Sequence, residues 1–280
     1  NLTDFYPDLL DERFVSRFAI YHQRYSTNTF PTWKLAQPFR KVAHNGEINT
    51  ITDNTNWMRS HETRLSHPAL NQYMEDIKPV VQAAGSDTAA LDNVFELLTF
   101  AGRDAPMAKT LLVPASAGAN STMSDAARAL FSYCNAVMEP WDGPAALCAT
   151  DGRWIVAGLD RAGLRPLRYT IAQDGLLSGG SETGMVRVPD ARILSRGRLG
   201  PGQTLALDLK EGRLYQSDEL LEMLASRQDF KSWTKHIRNI EPIVRDVTEP
   251  DAIDAENLRR RQLAVSLTYE ELETILHPMV

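Results

Sequence analysis

The sequence predicts an α+β fold, on three observations. An early strand is followed by two well-patterned helices, and then by a run of short strands divided by Asp-Gly and Gly-rich turns. Strands that are segregated from helices in this way read as a layered sandwich and not as an alternating βαβ repeat.

The elements follow in order. Arg13–Tyr25 (RFVSRFAIYHQRY) alternates in places and is rich in Phe, Val, Ile and Tyr, which predicts strands. Lys41–Asn49 predicts another strand, entering a tight turn at Asn45–Gly46, since Asn-Gly suits a two-residue hairpin. Asn54–Leu70 is helix-compatible and ends at His67-Pro68, because the residue before a proline leaves the helical region. Ser86 or Asp87 caps the next helix, where Leu91, Val94, Phe95 and Leu98 fall at i, i+3, i+4 and i+7 and Gly102 marks the stop. Pro114–Ser124 is a small, polar loop, and the helix after it places Ala127, Leu130, Phe131, Cys134 and Met138 on one face.

After Pro140 the period changes. Gly143–Ala149, Trp154–Gly158, Leu167–Ile171 and Gly175–Ser178 read as strands, and Thr204–Leu209 with Arg213–Gln216 as a hairpin around Glu211-Gly212. Asp218–His236 is charged and helical. Ile240–Ala255, with two prolines and many acids, is a connector, and Asn257–Pro278 is helical with a Thr268-x-x-Glu271 capping box and Pro278 as its stop. The main boundary is placed near His236, giving domains 1–236 and 237–280.

Composition narrows the function classes. The 280 residues suffice for a sizeable core, and the 43% hydrophobic and 24% charged content is that of a globular protein. A net charge of −6, from 30 Lys+Arg against 36 Asp+Glu, argues against a nucleic-acid partner. No apolar run approaches the ~20 residues of a membrane-spanning helix, and the acidic start (NLTDFYPDLL) lacks the pattern of a signal peptide, so no membrane partner is expected; two cysteines without a disulfide framework make a reducing, cytoplasmic setting the expectation. Cys134 and Cys148 make neither a disulfide framework nor a metal knuckle, and both read as buried packing residues. No metal ligand set is visible, and there is no Gly-rich phosphate loop. The run Leu258–Arg261 reads as a solvated helix face, with Glu256 one turn before Arg260.

Three short stretches stand out together: Tyr21–Phe30 (YHQRYSTNTF), Val42–Thr50 (VAHNGEINT) and Gly85–Thr88 (GSDT). Amide hydrolysis passes through a tetrahedral oxyanion, so it needs donors already in place where that charge develops. An Asn NH2 and a Gly N–H next to each other can converge on one oxygen, and glycine permits the close backbone approach. A free amino acid substrate needs a cation for its carboxylate, to which the planar fork of Arg is suited, and an anion for its ammonium. Taken singly, Asn45–Gly46 would be a turn, Asp87 a helix cap and Arg24 a surface strand residue.

Taken in order, the three stretches resemble the class II glutamine amidotransferases, which are N-terminal-nucleophile hydrolases. HNGEINT followed by Asn56-Trp57-Met58 is most similar to the form found in glutamate synthases. Asp142–Ala145, Leu159–Arg161 leading to Gly163–Pro166, and Ser181–Gly184 extend the resemblance over essentially the whole chain.

The resemblance implies a four-layer αββα sandwich, incomplete at its N-terminus, with a helical C-terminal connector leading into the next domain of a larger enzyme. It implies that Arg24 binds the glutamine carboxylate, Asp87 its amino group, and that Asn45 and Gly46 form the oxyanion hole. The nucleophile of the family is a Cys at the mature N-terminus whose own amine serves as base. Residue 1 here is Asn, so the nucleophile is expected outside this chain and the chain alone is expected to be inactive. His22, His44, Arg165 and Glu182 match family text without a role derivable from the residues.

In the parent enzyme the resemblance implies FMN and an iron–sulfur cluster, 2-oxoglutarate as ammonia acceptor, and an electron-donating small subunit or ferredoxin as partner. No cofactor is expected in this segment. Two other readings stand beside this one: a different class II amidotransferase, or a non-catalytic glutamine-binding module without a nucleophile.

Overall fold

The structure, a computed structural model, describes residues 2–23, 30–115, 123–238, 240 and 254–277. The chain divides into two compact units, Asn1–His236 and Ile237–Val280.

The first unit is α+β, as the sequence predicts. Its main sheet has five strands in the order β1-β2-β3-β7-β8, all antiparallel: β1 (Val42–Gly46), β2 (Ala145–Thr150), β3 (Trp154–Leu159), β7 (Thr204–Asp208) and β8 (Arg213–Tyr215). A second antiparallel sheet has the order β5-β4-β6, from β4 (Arg168–Ala172), β5 (Leu177–Gly180) and β6 (Ile193–Arg198).

Side chains alternate across a strand, so the register sorts the main sheet into two faces. Val42, His44, Leu147, Ala149, Trp154, Val156, Ala206 and Tyr215 share one of them. That face, His44 aside, is part of the main core, together with residues of α1 (Ile51–Glu62), α2 (Asp87–Phe100), α3 (Ala105–Leu112), α4 (Asp125–Val137), α5 (Ser217–Ala225) and α6 (Phe230–Thr234). The other face presents Asn45, Ala146, Cys148, Ile155, Ala157 and Leu207, none of them fully buried. On that side a small cluster of Leu159, Leu199 and Leu205 reaches Leu167 and Tyr169 at the root of the second sheet.

The helices keep their sequence logic. Ser86 is the cap of α2, its hydroxyl accepting from Ala89 N–H at 3.1 Å, and Leu91, Val94 and Phe95 are buried. In α4, Ala127, Leu130, Phe131 and Cys134 are buried on the expected face, below a Ser124 cap.

Several expectations are corrected. No strand forms over residues 13–23; Phe14, Val15 and Tyr21 stay exposed, and among the described residues no strand pairs with this segment. A strand without a partner ladder has nowhere to satisfy its backbone. Asn45–Gly46 is not a hairpin turn: β1 runs through both residues, which face Ala146 and Ala145 of a strand about a hundred positions on. The helix expected from Asn54 to Leu70 is Ile51–Glu62, and Asp218–His236 is two helices, α5 and α6, broken at residues 226–229. α3 and β6 were not foreseen.

In the second unit, α7 (Ala255–Ala264) carries the Glu256–Arg260 pair at 2.7 Å, and Thr268 and Glu271 form the expected capping box. Most of the expected connector lies outside the described residues.

Candidate active site

The edge strand β1 delivers the HNG motif, and the segment Asp142–Ala145 clamps the chain that follows it. Glu47 N–H donates to the Pro144 carbonyl at 3.0 Å and Asn49 N–H to the Asp142 carbonyl at 2.8 Å. Thr50 Oγ1 accepts from Asp142 N–H at 3.0 Å. This close approach requires glycine twice. Gly46 has φ +142° and Gly143 φ +148°; a Cβ on the first would collide with the Pro144 carbonyl oxygen, and one on the second with the Glu47 carbonyl oxygen.

Alternation along β1 sends His44 and Asn45 to opposite faces. His44 points into the protein with no exposed side-chain surface, where its Nδ1 meets Thr88 Oγ1 at 2.8 Å and lies 3.9 Å from Asp87 Oδ2. Burial holds its imidazole down to about 4, with the Asp87 charge opposing that shift and the Arg165 charge adding to it. His44 is therefore a neutral ring at neutral pH. Its Nε2 is buried without a partner.

Asp87 occupies the first turn of α2, the position the sequence left open between cap and ligand. Its carboxylate accepts from Ile48 N–H at 2.8 Å, from Thr88 N–H at 2.7 Å and from Thr88 Oγ1 at 3.3 Å. A carboxylate has about four acceptor positions, so one remains for an ammonium. The side chain keeps 16% of its surface exposed, which leaves that position reachable. Asp87 and the Asn45–Gly46 pair are thus brought together: two residues after Gly46, Ile48 N–H is tied to Asp87 directly. Arg24 lies outside the described residues.

The structure adds residues that sequence reasoning passed over. Arg165 Nη2 donates to Asn45 Oδ1, across 120 positions of sequence. Asp160 is buried; Oδ1 accepts from Ala145 N–H at 2.8 Å, and Oδ2 from Ala162 N–H at 2.8 Å and Gly163 N–H at 3.1 Å. Arg161 pairs with Asp142. Behind them, the buried Lys109 of α3 donates to the Leu159 carbonyl at 3.2 Å. Gly158 makes room for it, since a Cβ there would stand 2.9 Å from Lys109 Cε. Burial lowers the Lys109 ammonium to about 8, against the pull of Asp160. The only sequence signal for Asp160, Arg161 and Arg165 was their place in the Leu159–Pro166 stretch, and for Asp142 its place in Asp142–Ala145; Lys109 carried none.

Neither cysteine offers a nucleophile or a cluster ligand. Burial pushes the Cys134 thiol up to about 12 and the Cys148 thiol up to about 11, and the two lie in α4 and β2. Thiolate is the nucleophilic form, and two cysteines on separate elements are fewer than the four thiolates that hold an iron–sulfur cluster. Among the described residues no group of three or more His, Cys, Asp or Glu is placed to hold a metal.

The model of the family "Glutamine amidotransferases class-II" matches residues 1–233. The chain is 56% identical over 282 residues to "Glutamate synthase [NADPH] large chain" of Azospirillum brasilense, covering 100% of this chain and 19% of that protein. It is 40% identical to the protein of the same description in Bacillus subtilis (strain 168), covering 99% and 18%. It is 38% identical to "Ferredoxin-dependent glutamate synthase 2, chloroplastic" of Arabidopsis thaliana, covering 98% and 17%. The chain therefore spans less than a fifth of the length of these relatives. On the match over residues 1–233 and these identities, the chain belongs to the class II glutamine amidotransferases.

Proposed function

We propose that this chain forms the glutamine-recognising and oxyanion-stabilising part of a glutamate synthase, in which L-glutamine is hydrolysed to glutamate and ammonia. The observation that carries the reading is the Ile48 N–H···Asp87 bond of 2.8 Å, which ties the ammonium ligand to the segment that leaves the oxyanion strand. In this reading Asp87 takes the substrate ammonium and Arg24 its carboxylate. The Asn45 NH2 and Gly46 N–H meet the oxygen as the amide carbon becomes tetrahedral. Donors fixed on a strand stabilise that charge without reorganising, and an interaction made only in the transition state raises kcat.

The ammonia passes to 2-oxoglutarate at a synthase site in the rest of the protein, which holds FMN and an iron–sulfur cluster. Electrons come from a small subunit or ferredoxin. Residues 237–280 begin the connection towards that part. The attacking thiol is a Cys at a processed N-terminus, as in the family, and neither Cys134 nor Cys148 replaces it.

The test is a glutaminase assay on the intact large chain beside this 280-residue chain. The intact protein is expected to release ammonia from glutamine, and Asp87→Ala or Arg24→Ala to abolish that release. Robust turnover by the 280-residue chain alone would contradict the assignment of the nucleophile.

A further inference from the structure

An asparagine amide has two chemically opposite ends, and only one of them can stabilise an oxyanion. If Oδ1 faces the developing negative charge the contact is repulsive; if Nδ2 faces it, the contact is a hydrogen bond. Something must choose between two orientations that differ by a half-turn of one torsion.

We infer that Arg165 is the positioning residue that makes this choice, holding Asn45 by its oxygen so that its NH2 is turned to the oxyanion. This rests on the glutaminase reading above.

A guanidinium has five N–H donors and no acceptor, so only the oxygen end of an amide can face it. Arg165 Nη2 does donate to Asn45 Oδ1. The loop bearing Arg165 is fixed where such a role needs it fixed. Asp160 binds three backbone N–H groups of the loop and of β2, the Asp160 carbonyl accepts from Gly202 N–H at 2.7 Å, and Leu199 N–H donates to the Leu167 carbonyl at 2.8 Å. One of those three donors, Ala145, faces Gly46 across β1 and β2. The loop and the oxyanion pair are thus anchored to the same residue of β2.

Nor is Arg165 consumed by a structural ion pair. Among the described residues no carboxylate pairs with it, and its Nε is buried without a partner. A buried cationic donor left partly unsatisfied is costly, and is retained where its charge is useful.

The experiment uses the intact large chain. Arg165→Met is expected to lower kcat for glutamine by about 10- to 100-fold with KM within about twofold, because the oxyanion exists only in the transition state. Arg165→Lys, which is also donor-only, is expected to stay within about tenfold of wild type. Asn45→Ala sets the reference: if Arg165 acts through Asn45, adding Arg165→Met to Asn45→Ala lowers kcat no further.

An Arg165→Met protein with wild-type kcat overturns the inference. So does a loss of the same factor in the Asn45→Ala background, or an Arg165→Lys protein as impaired as Arg165→Met. Equal unfolding midpoints for the wild type and the four variants separate positioning from misfolding; if Arg165→Met does not fold, Arg165→Lys replaces it, and any loss it causes in kcat is expected to vanish in the Asn45→Ala background, whereas a loss of the same factor there overturns the inference. Failure of the wild-type protein to hydrolyse glutamine removes the glutaminase reading itself, whereas failure of the variants in an active protein removes only this step.

Discussion

Asp160 Oδ1 accepts the Ala145 N–H at 2.8 Å, and Ala145 is the residue that faces Gly46 in the β1–β2 register. One buried carboxylate therefore fixes both the strand behind Asn45 and Gly46 and the loop that carries Arg165.

Asp160→Asn tests that junction. Both carboxylate oxygens accept backbone N–H groups, and an amide would turn its own NH2 against one set of them. Loss of charge-assisted bonds with an unsatisfied donor left behind is expected to cost roughly 2–3 kcal/mol. Urea unfolding of the chain reads it directly, and a loss below about 0.5 kcal/mol would show that the junction tolerates an amide.

Glycine substitutions should separate by environment. Gly143→Ala meets both a positive φ and the Glu47 carbonyl, whereas Gly102→Ala, at φ +84°, meets open space. The second carries about 1–2 kcal/mol of backbone strain alone. The first should cost at least twice as much, measured by thermal or urea unfolding, and equal losses would refute the close-approach argument.

His44 gives a pH signature. Its pKa falls from 6.5 to about 4 on folding through burial, with Asp87 opposing and Arg165 assisting, so between those values the unfolded chain binds more protons. Stability contributed here is full above pH 6.5 and is lost as pH falls towards 4. Subtracting the urea midpoints of His44→Asn from wild type across this window isolates the slope, and a flat difference would mean the ring is not buried neutral.

Lys109 acts in the alkaline range. Burial lowers its pKa from 10.5 to about 8, so the unfolded chain again binds more protons in between, and stability rises with pH over that window. Cys148, raised from 9.0 to about 11, works in the opposite sense. The difference between wild type and Lys109→Met removes the thiol contribution. It should grow in favour of wild type from pH 8 to 10.5, and a constant difference would place the ammonium in water.

The cysteines should be silent. With thiols pushed up to about 12 and about 11, Cys134 and Cys148 are expected to react with an aromatic disulfide reagent at pH 8 only after denaturation. Rapid labelling of the folded chain at either position would reopen the question of a nucleophile.

The legible part of this protein is the part whose signals are local. α2 and α4 carry a 3.6-residue period and a serine cap, and both signals lie within a dozen residues. β3 and β7 begin at Trp154 and Thr204, as the sequence predicts. α3 was hidden because nearly every side of it is buried, Lys109 included, so no polar stripe marks it. β6 was hidden by arginines at alternate positions and by Gly197, whose missing side chain gives way to the Tyr169 ring. In the candidate site, Asn45, Gly46 and Asp87 stood out as motif residues, and the structure brings them near one another. Arg165 could be quoted but not assigned, because its partner lies 120 positions away and the two meet only through the pairing of β1 on β2, of β2 on β3, and the loop that follows β3.

Gly46 and Gly143 interlock two stretches of main chain, and this has a consequence for reading mutational scans. Position 143 will be intolerant to nearly every substitution, as a reactive group is, though it offers no side chain to a substrate. Intolerance at a half-exposed position beside a proposed active site is easily credited to chemistry. Here it measures backbone clearance, and the two can be told apart because a clearance defect lowers the unfolding midpoint along with the rate.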